Sequence, residues 1–427
     1  MKIRAITIGQ RIPYLIDDKV LETSLEESLQ KFSKFNESLV SKFNQMDIEV
    51  QTKRLCSQPI LSYDEQVFDQ NLNNALDSIH GQLTLIEELI TKYGIDYFAS
   101  CAVLADLQMA KYGIYESLFL KEVPQFIKRK EKIFSSLHVA SNDNGINLSA
   151  LKSGAMIIKE LSDPDPFNNL RFCVSTNVKP NTPFFPAAYH LSKKPSFSIA
   201  LQMADEVVEV FEESKSFEKL QIALRARFEE IYQEIVPICE TVSKEHELLF
   251  QGVDMSPAPY PKLKESIGTA IENLNFEYFG APGSLIAVAM IKNAIPYKEK
   301  TIGFNGFMPP VLEDYSIAKR LSESQFNLDT LLLYSTMCGT GLDCVPLPGD
   351  VTVKELFYIL LDLCTISLRL KKPLTARLMP IPGKSAGDDV KFDFEYFAPS
   401  KVMKIRRLTK EIDKDLFGSK QKSFKFV

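Results

Sequence analysis

The sequence predicts an α/β protein with a mainly parallel sheet and helices outside it. Strand-like and helix-like segments alternate along almost the whole chain, the pattern of strands joined by crossover helices. The candidate strands number ten, five in each half. Loops rich in Gly, Pro and Asp follow the fifth to the ninth of them, where parallel α/β folds place ligands. Ten such strands close as one barrel or form two open doubly wound sheets of about five each.

In chain order, β-branched or alternating apolar runs place strands at Lys2–Ile8, Asp47–Leu55, Tyr97–Leu104, Leu137–Ser141 and Leu170–Thr176. The second half gives Glu247–Val253, Thr301–Phe307, Leu331–Met337, Leu374–Met379 and Phe392–Phe397. Helical spacing predicts Ser24–Phe43 behind a possible cap at Thr23, then Asp64–Tyr93 and Val123–Phe134. In Phe217–Val242, Leu220, Leu224, Phe228, Ile231, Ile235 and Cys239 recur every three or four residues and form one apolar stripe. Leu285–Ala294 and Lys354–Leu370 complete the set. The expected organisation is a single large barrel over 1–400, built of halves at about 1–176 and 247–397. The acidic turn Ser162–Asn169 is a surface loop or a hinge between the halves. A basic arm over 401–427 is solvated, packed, or in contact with a polyanion.

Composition narrows the function classes. The 427 residues are 45% apolar and 25% charged, as in ordinary globular proteins. A net charge of −5 gives nucleic-acid binding little support. The longest apolar run, Leu285–Ile291, is far short of a membrane span, and Met1–Ile8 reads as a strand rather than a leader. Seven scattered cysteines without a CxxC pair point to reduced thiols and a cytoplasmic setting.

Glycine is concentrated in the second half: 11 of the 18 lie between Gly252 and Gly387. The loops in question are NVKPNTPFFPAAYH (Asn177–His190), GVDMSPAPYP (Gly252–Pro261), GFMPPVLED (Gly306–Asp314), CGTGLDCVPLPGD (Cys338–Asp350) and PIPGKSAGDD (Pro380–Asp389). If every strand runs the same way, these five stretches converge on one rim.

The strings FFPAAYH, GVDMSPAP, FGAPGS, GFNGFMPPVLED, CGTGLDCVPLPGD and KPLTARLMPIPGKSAGD, in this order and spacing, resemble domain of unknown function 711, also called uncharacterised protein family 0210. The resemblance covers essentially the whole chain. It implies a ten-stranded β/α barrel like that of pyruvate formate-lyase and other glycyl-radical enzymes, and no agreed activity. The glycyl-radical loop of those enzymes is missing: after Gly387 the only glycine is Gly418, in LFGSK. Stored-radical chemistry is therefore not expected.

The candidate chemistry rests on residue types in those loops. Cys338 is a candidate nucleophile or a packed thiol. Asp254 and Asp343 are candidate acid/base carboxylates, and His190 a candidate proton shuttle or a structural hydrogen bonder. Glu313, Asp314 and Asp350 could hold a divalent metal through oxygen, or could cap helices. Gly339, Gly341, Gly280, Gly283 and Ser284 offer backbone amides to an anion, and Arg377 and Lys384 could clamp a carboxylate or phosphate. No nucleotide-binding motif occurs. The expectation is an enzyme acting on a small anionic metabolite, as a homodimer without nucleic-acid or membrane partners. The alternatives are a non-catalytic metabolite sensor and a self-assembling interaction protein.

Overall fold

The fold is seen in a computed structural model that describes residues 1–61, 72–107, 114–213, 216–410 and 416–426. Its strands are β1 (Lys2–Gly9), β2 (Lys53–Cys56), β3 (Tyr97–Leu104), β4 (Ile133–Ser141), β5 (Gly145–Asn147), β6 (Phe172–Thr176), β7 (Ser196–Gln202), β8 (Leu249–Ala258), β9 (Gly341–Pro348), β10 (Leu374–Ile381), β11 (Asp389–Val390), β12 (Ser400–Lys401) and β13 (Ser423–Phe424). Its helices are α1 (Asp18–Asn44), α2 (Leu72–Lys92), α3 (Ile114–Lys128), α4 (Leu148–Leu161), α5 (Ala204–Glu213), α6 (Phe217–His246), α7 (Ile267–Glu272), α8 (Leu285–Ala294), α9 (Tyr315–Ser322), α10 (Leu328–Ser335) and α11 (Val353–Leu370). The class is α/β, as predicted. Among the described residues no helix is long and apolar enough to cross a membrane.

The large sheet runs β8-β7-β1-β2-β3-β4-β6-β10-β9. β1, β2, β3, β4 and β6 form a parallel block of five. β7 and β8 are parallel to each other, and so are β9 and β10. The two joints between block and pairs, β1 with β7 and β6 with β10, are antiparallel. This corrects the expectation that all strands share one rim. The two halves of the chain run in opposite directions, so loops at the ends of second-half strands meet the beginnings of first-half strands.

Three predicted strands take other forms. Leu331–Met337 lies mostly in α10: Asn327 accepts the amide of Thr330 and starts a helix through a leucine-rich stretch. The segment Thr301–Phe307 makes only isolated bridges. Thr301 pairs with Val253, and farther along Pro310 pairs with Asp343, so this stretch touches both outermost strands of the sheet. Gly303 and Asn305 both take positive φ, and Pro309 and Pro310 have no N–H, which together prevent a ladder. Phe392–Phe397 is a loop inside the small hairpin β11–β12. Its alternating rings pack around Phe167 instead of a neighbouring strand. Six of the described strands match no predicted one: β7, β9 inside an expected loop, and the two- or three-residue strands β5, β11, β12 and β13.

The predicted helices stand, with shifted ends. α1 begins at Asp18 behind an Asp17 cap rather than at Thr23, and residues 64–71 of the second lie outside the described residues. α3 starts at Ile114 and ends at Lys128, before β4. All six stripe residues of α6 are buried. These helices pack their apolar faces on one side of the sheet in a single core. On the sheet's other face lies the stretch Asn177–His190. Phe185 is buried there against Cys56, Ala99, Phe134 and Ala188, a contribution of roughly 2–3 kcal/mol for one such ring. The basic arm folds back in part: β13 pairs with β5, and the carbonyl of Lys422 accepts the amide of Leu148.

Candidate functional site

β9 and β10 are buried along their entire length. Strands covered on both faces are normally continuous apolar runs, yet each carries a charged residue, Asp343 and Arg377. Their pairing register explains how the two meet. Ala376 pairs with Leu342 and Leu378 with Val345, so Asp343 and Cys344 together stand opposite Arg377. This is a β-bulge, with Cys344 at φ +47°, and it aims two consecutive side chains at one guanidinium.

Arg377 is almost fully buried and fully engaged. Its Nε donates to Asp343 Oδ1 at 2.6 Å and its Nη2 to Glu313 Oε1 at 2.8 Å. Glu313, on the segment leading into α9, also accepts Arg4 Nη2 at 2.9 Å through Oε2 and the Cys344 thiol at 3.2 Å through Oε1. The two carboxyls are pushed apart in acidity. Burial would raise Glu313, but the charges of Arg377 and Arg4 outweigh it and hold this group below the usual carboxylate range. Burial raises Asp343, Arg377 only partly offsets it, and the neighbouring charge of Glu313 adds to the rise. Split carboxyls of this kind mark acid/base sites.

These groups border a cavity of about 580 Å³, part of it open to solvent, together with Asp254, Phe184 and Met308. A second cavity of about 490 Å³ shares Arg4, Arg54, Phe185, Glu313 and Arg377 with the first and is otherwise lined largely by Tyr97, Phe134, Phe394 and Tyr396. Arg54, near the start of β2, stands at the junction. Its Nε donates to Thr52 Oγ1 at 2.9 Å, and its guanidinium lies 5.1 Å from the Phe185 ring and 6.0 Å from that of Tyr97. Neither Nη has an acceptor among the described residues. Burial, then the nearby charge of Arg4, lowers its pKa to about 10. Arg4 lies 4.4 Å from the Tyr396 ring, and its Nη1 is taken by Gln51 and Gln202.

The other candidates are placed as follows. Asp254 borders the first cavity, but its carboxylate is saturated by the amides of Ser256, Phe304 and Asn305 and the Ser256 hydroxyl. It clamps the turn at Gly303, where a Cβ would sit 2.3 Å from its Oδ2. Cys338 borders neither cavity. It is buried after α10, its sulfur accepts the amide of Gly341 at 3.2 Å, and burial pushes its thiol pKa up. Gly339 serves close backbone passage, since a Cβ there would fall 3.0 Å from Gly306 Cα, while Gly341 takes φ +93° against the Thr375 carbonyl. His190 is buried beside Gly9 and bonds Asn181 Oδ1 at 2.9 Å. Gly280 and Gly283 pack on Phe326 and Phe276, and the Ser284 hydroxyl binds the Ala281 carbonyl and Tyr334, so that turn is not at the cavities. Lys384 is exposed and bonds the Asp389 carbonyl.

The three proposed metal ligands do not share a site. Asp314 is locked by Ser266 and the amides of Ile267, Gly268 and Ile317, joining the starts of α7 and α9, with its pKa raised to about 6 by burial. Asp350 is exposed and pairs with Arg407. It does not cap α11, which begins on a Thr352–Glu355 capping box. Glu313, Asp343 and Cys344 do lie close enough to share a cation. Arg377 already supplies positive charge to both carboxylates, so a divalent ion there would face its repulsion.

Of the predicted site residues, then, Asp254, Glu313, Asp343 and Arg377 come together. Sequence reasoning missed Arg4, Arg54, Tyr97 and Tyr396. For Arg4 the available signal is a charged residue inside an apolar strand, KIRAITIG; KRLC, with two charges in four residues, offers none for Arg54.

A family model described as an uncharacterised ACR (DUF711) matches residues 1–400. The chain is similar to a UPF0210 protein of Pyrobaculum aerophilum, 28% identical over 401 residues covering 91% of this chain and 87% of the relative. A UPF0210 protein of Pyrobaculum arsenaticum is 30% identical over 314 residues, covering 71% and 68% of the two chains. One from Carboxydothermus hydrogenoformans is 26% identical over 348 residues, covering 76% and 74%. With the family match spanning almost its whole length, the chain belongs to the DUF711, or UPF0210, family of uncharacterised proteins.

Proposed function

We propose that the chain is an enzyme acting on a small anionic metabolite bound where the two cavities meet. The observation that carries this reading is Arg54: a half-buried guanidinium with both Nη groups open, next to the charge of Arg4 and beside a cavity. A charge in that setting is stabilised by an anion that enters from outside the chain. Glu313 stays ionised and fixes Arg4 and Arg377 in place. Asp343 is the group that gives or takes a proton, since its environment favours the neutral form while Glu313 beside it remains charged. The single bridges from Thr301 to Val253 and from Pro310 to Asp343 support a sheet closed by that segment into a ten-stranded barrel. The cavities would then lie at the second half's strand ends.

The test is to incubate the protein with a cellular metabolite extract and follow depletion by mass spectrometry. One anionic metabolite should be consumed, and Arg54→Met and Asp343→Asn should each abolish its consumption. A metabolite retained by the protein but chemically unchanged would favour the sensor. Consumption unaffected by both changes would sink the assignment.

A further inference from the structure

Resting on the reading above, we infer that the ligand is a monocarboxylate with a flat apolar body. Its carboxylate sits end-on against the two Nη groups of Arg54, and its body lies among Tyr97, Phe134, Phe394 and Tyr396. Arg377 spends its Nε on Asp343, its Nη2 on Glu313 and its Nη1 on the Leu170 carbonyl. Arg4 spends Nη1 on two glutamine side chains and Nη2 on Glu313. Arg54 has committed only its Nε, to Thr52. One open guanidinium edge presents two N–H donors side by side, which matches the two coplanar oxygens of a carboxylate. A phosphate would bring a second charge, and the Nη groups of the neighbouring arginines, Arg4 and Arg377, are already taken.

The walls decide the rest of the molecule. Apart from the arginines, Glu313 and Thr52, the second cavity is bordered by five aromatic rings and Leu170. Tyr97 and Phe134 meet edge to face at 5.1 Å, Phe134 and Phe185 are tilted at 5.6 Å, and Phe394 and Tyr396 at 5.2 Å. Such a box takes an aryl group by stacking and edge contacts, each worth about 0.5–1.5 kcal/mol beyond simple burial, whereas an aliphatic acid of two carbons touches few of these rings.

The experiment is calorimetric titration of the full-length protein with phenylacetate, acetate, inorganic phosphate and the uncharged phenylacetamide. Phenylacetate is expected to bind at least tenfold more tightly than the other three. Tyr396→Ala should weaken phenylacetate severalfold and leave acetate unchanged. Arg54→Met should weaken phenylacetate tenfold or more, and Arg54→Lys, which keeps the charge but loses the planar fork, should weaken it in between. Acetate or phosphate binding as tightly as phenylacetate, with loss in Arg54→Met, would overturn the aryl-carboxylate assignment and leave the anion site standing. No binding by any anion, or binding indifferent to both Arg54 variants, would overturn the anion site itself.

Discussion

Arg54→Met separates a binding arginine from a structural one, because the account gives stability and binding opposite signs. The methionine keeps most of the apolar stem and removes the charge. A guanidinium held near 10 instead of its ordinary 12.5 is destabilised by folding, by up to about 3 kcal/mol if the whole effect is expressed. The side chain keeps an opening to the cavity, so solvent screening cuts this to about 1–2 kcal/mol. Against it stands one lost hydrogen bond to Thr52, about 1 kcal/mol. Thr52 Oγ1 still donates to the Arg4 carbonyl, so no buried polar atom is stranded. The ligand-free variant should therefore be as stable as the wild type or about 1 kcal/mol more stable, while carboxylate binding is lost. Urea unfolding followed by circular dichroism measures the first quantity, and titration the second. A variant destabilised by 2 kcal/mol or more that still binds phenylacetate like the wild type would make Arg54 a structural residue rather than a binding one.

Other outcomes follow from the same contacts. Arg377→Met strands the buried carboxyl of Asp343 and leaves Glu313 with Arg4 as its one guanidinium partner; it should cost about 3–5 kcal/mol in the same unfolding assay, with part recovered by adding Asp343→Asn. All seven cysteines are buried with their thiol pKa values raised by desolvation; iodoacetamide should label none in the folded protein, and Cys338→Ser should leave phenylacetate affinity within about twofold. Burial would raise the Asp106 carboxyl, but its bond to His138 at 2.8 Å and other partners bring it down to about 2. A depressed carboxylate stabilises the fold above its unfolded pKa of 3.8, and that stability is lost as pH falls through about 2. Between pH 4 and 2 the wild type should therefore lose about 2 kcal/mol more than Asp106→Asn.

The sequence told much about this fold and less about its site, and the reasons are physical. Helices such as α6 and α11 write their buried face into a spacing of three and four. Parallel strands write only apolar runs, which leucine-rich α10 imitates. Strand direction leaves no local trace at all. Nothing within KIRAITIG or FSIALQ says that β1 and β7 run antiparallel, yet that joint decides which loop ends meet. Asp343, Arg377, Glu313 and Asp254 were found because their loops or strands looked unusual. Cys338 and the Gly280–Ser284 turn looked equally unusual for a packing reason, close passage of backbone at Gly339 and ring contacts at Gly280 and Gly283. Arg4 and Arg54 look in the sequence like ordinary charges near strand beginnings. Only the reversed direction of the other half makes those beginnings part of the cavity wall.

In the proposed function, first-half strand beginnings and second-half loops build one carboxylate site around Arg54. A crystal soaked with 4-bromophenylacetate tests it most directly, because the bromine can be located by its anomalous signal. Carboxylate oxygens are expected within hydrogen-bond distance of both Arg54 Nη atoms, with bromine beside Tyr97 and Tyr396. Bromine at the Gly280–Ser284 turn or elsewhere, with Arg54 unengaged, would contradict it.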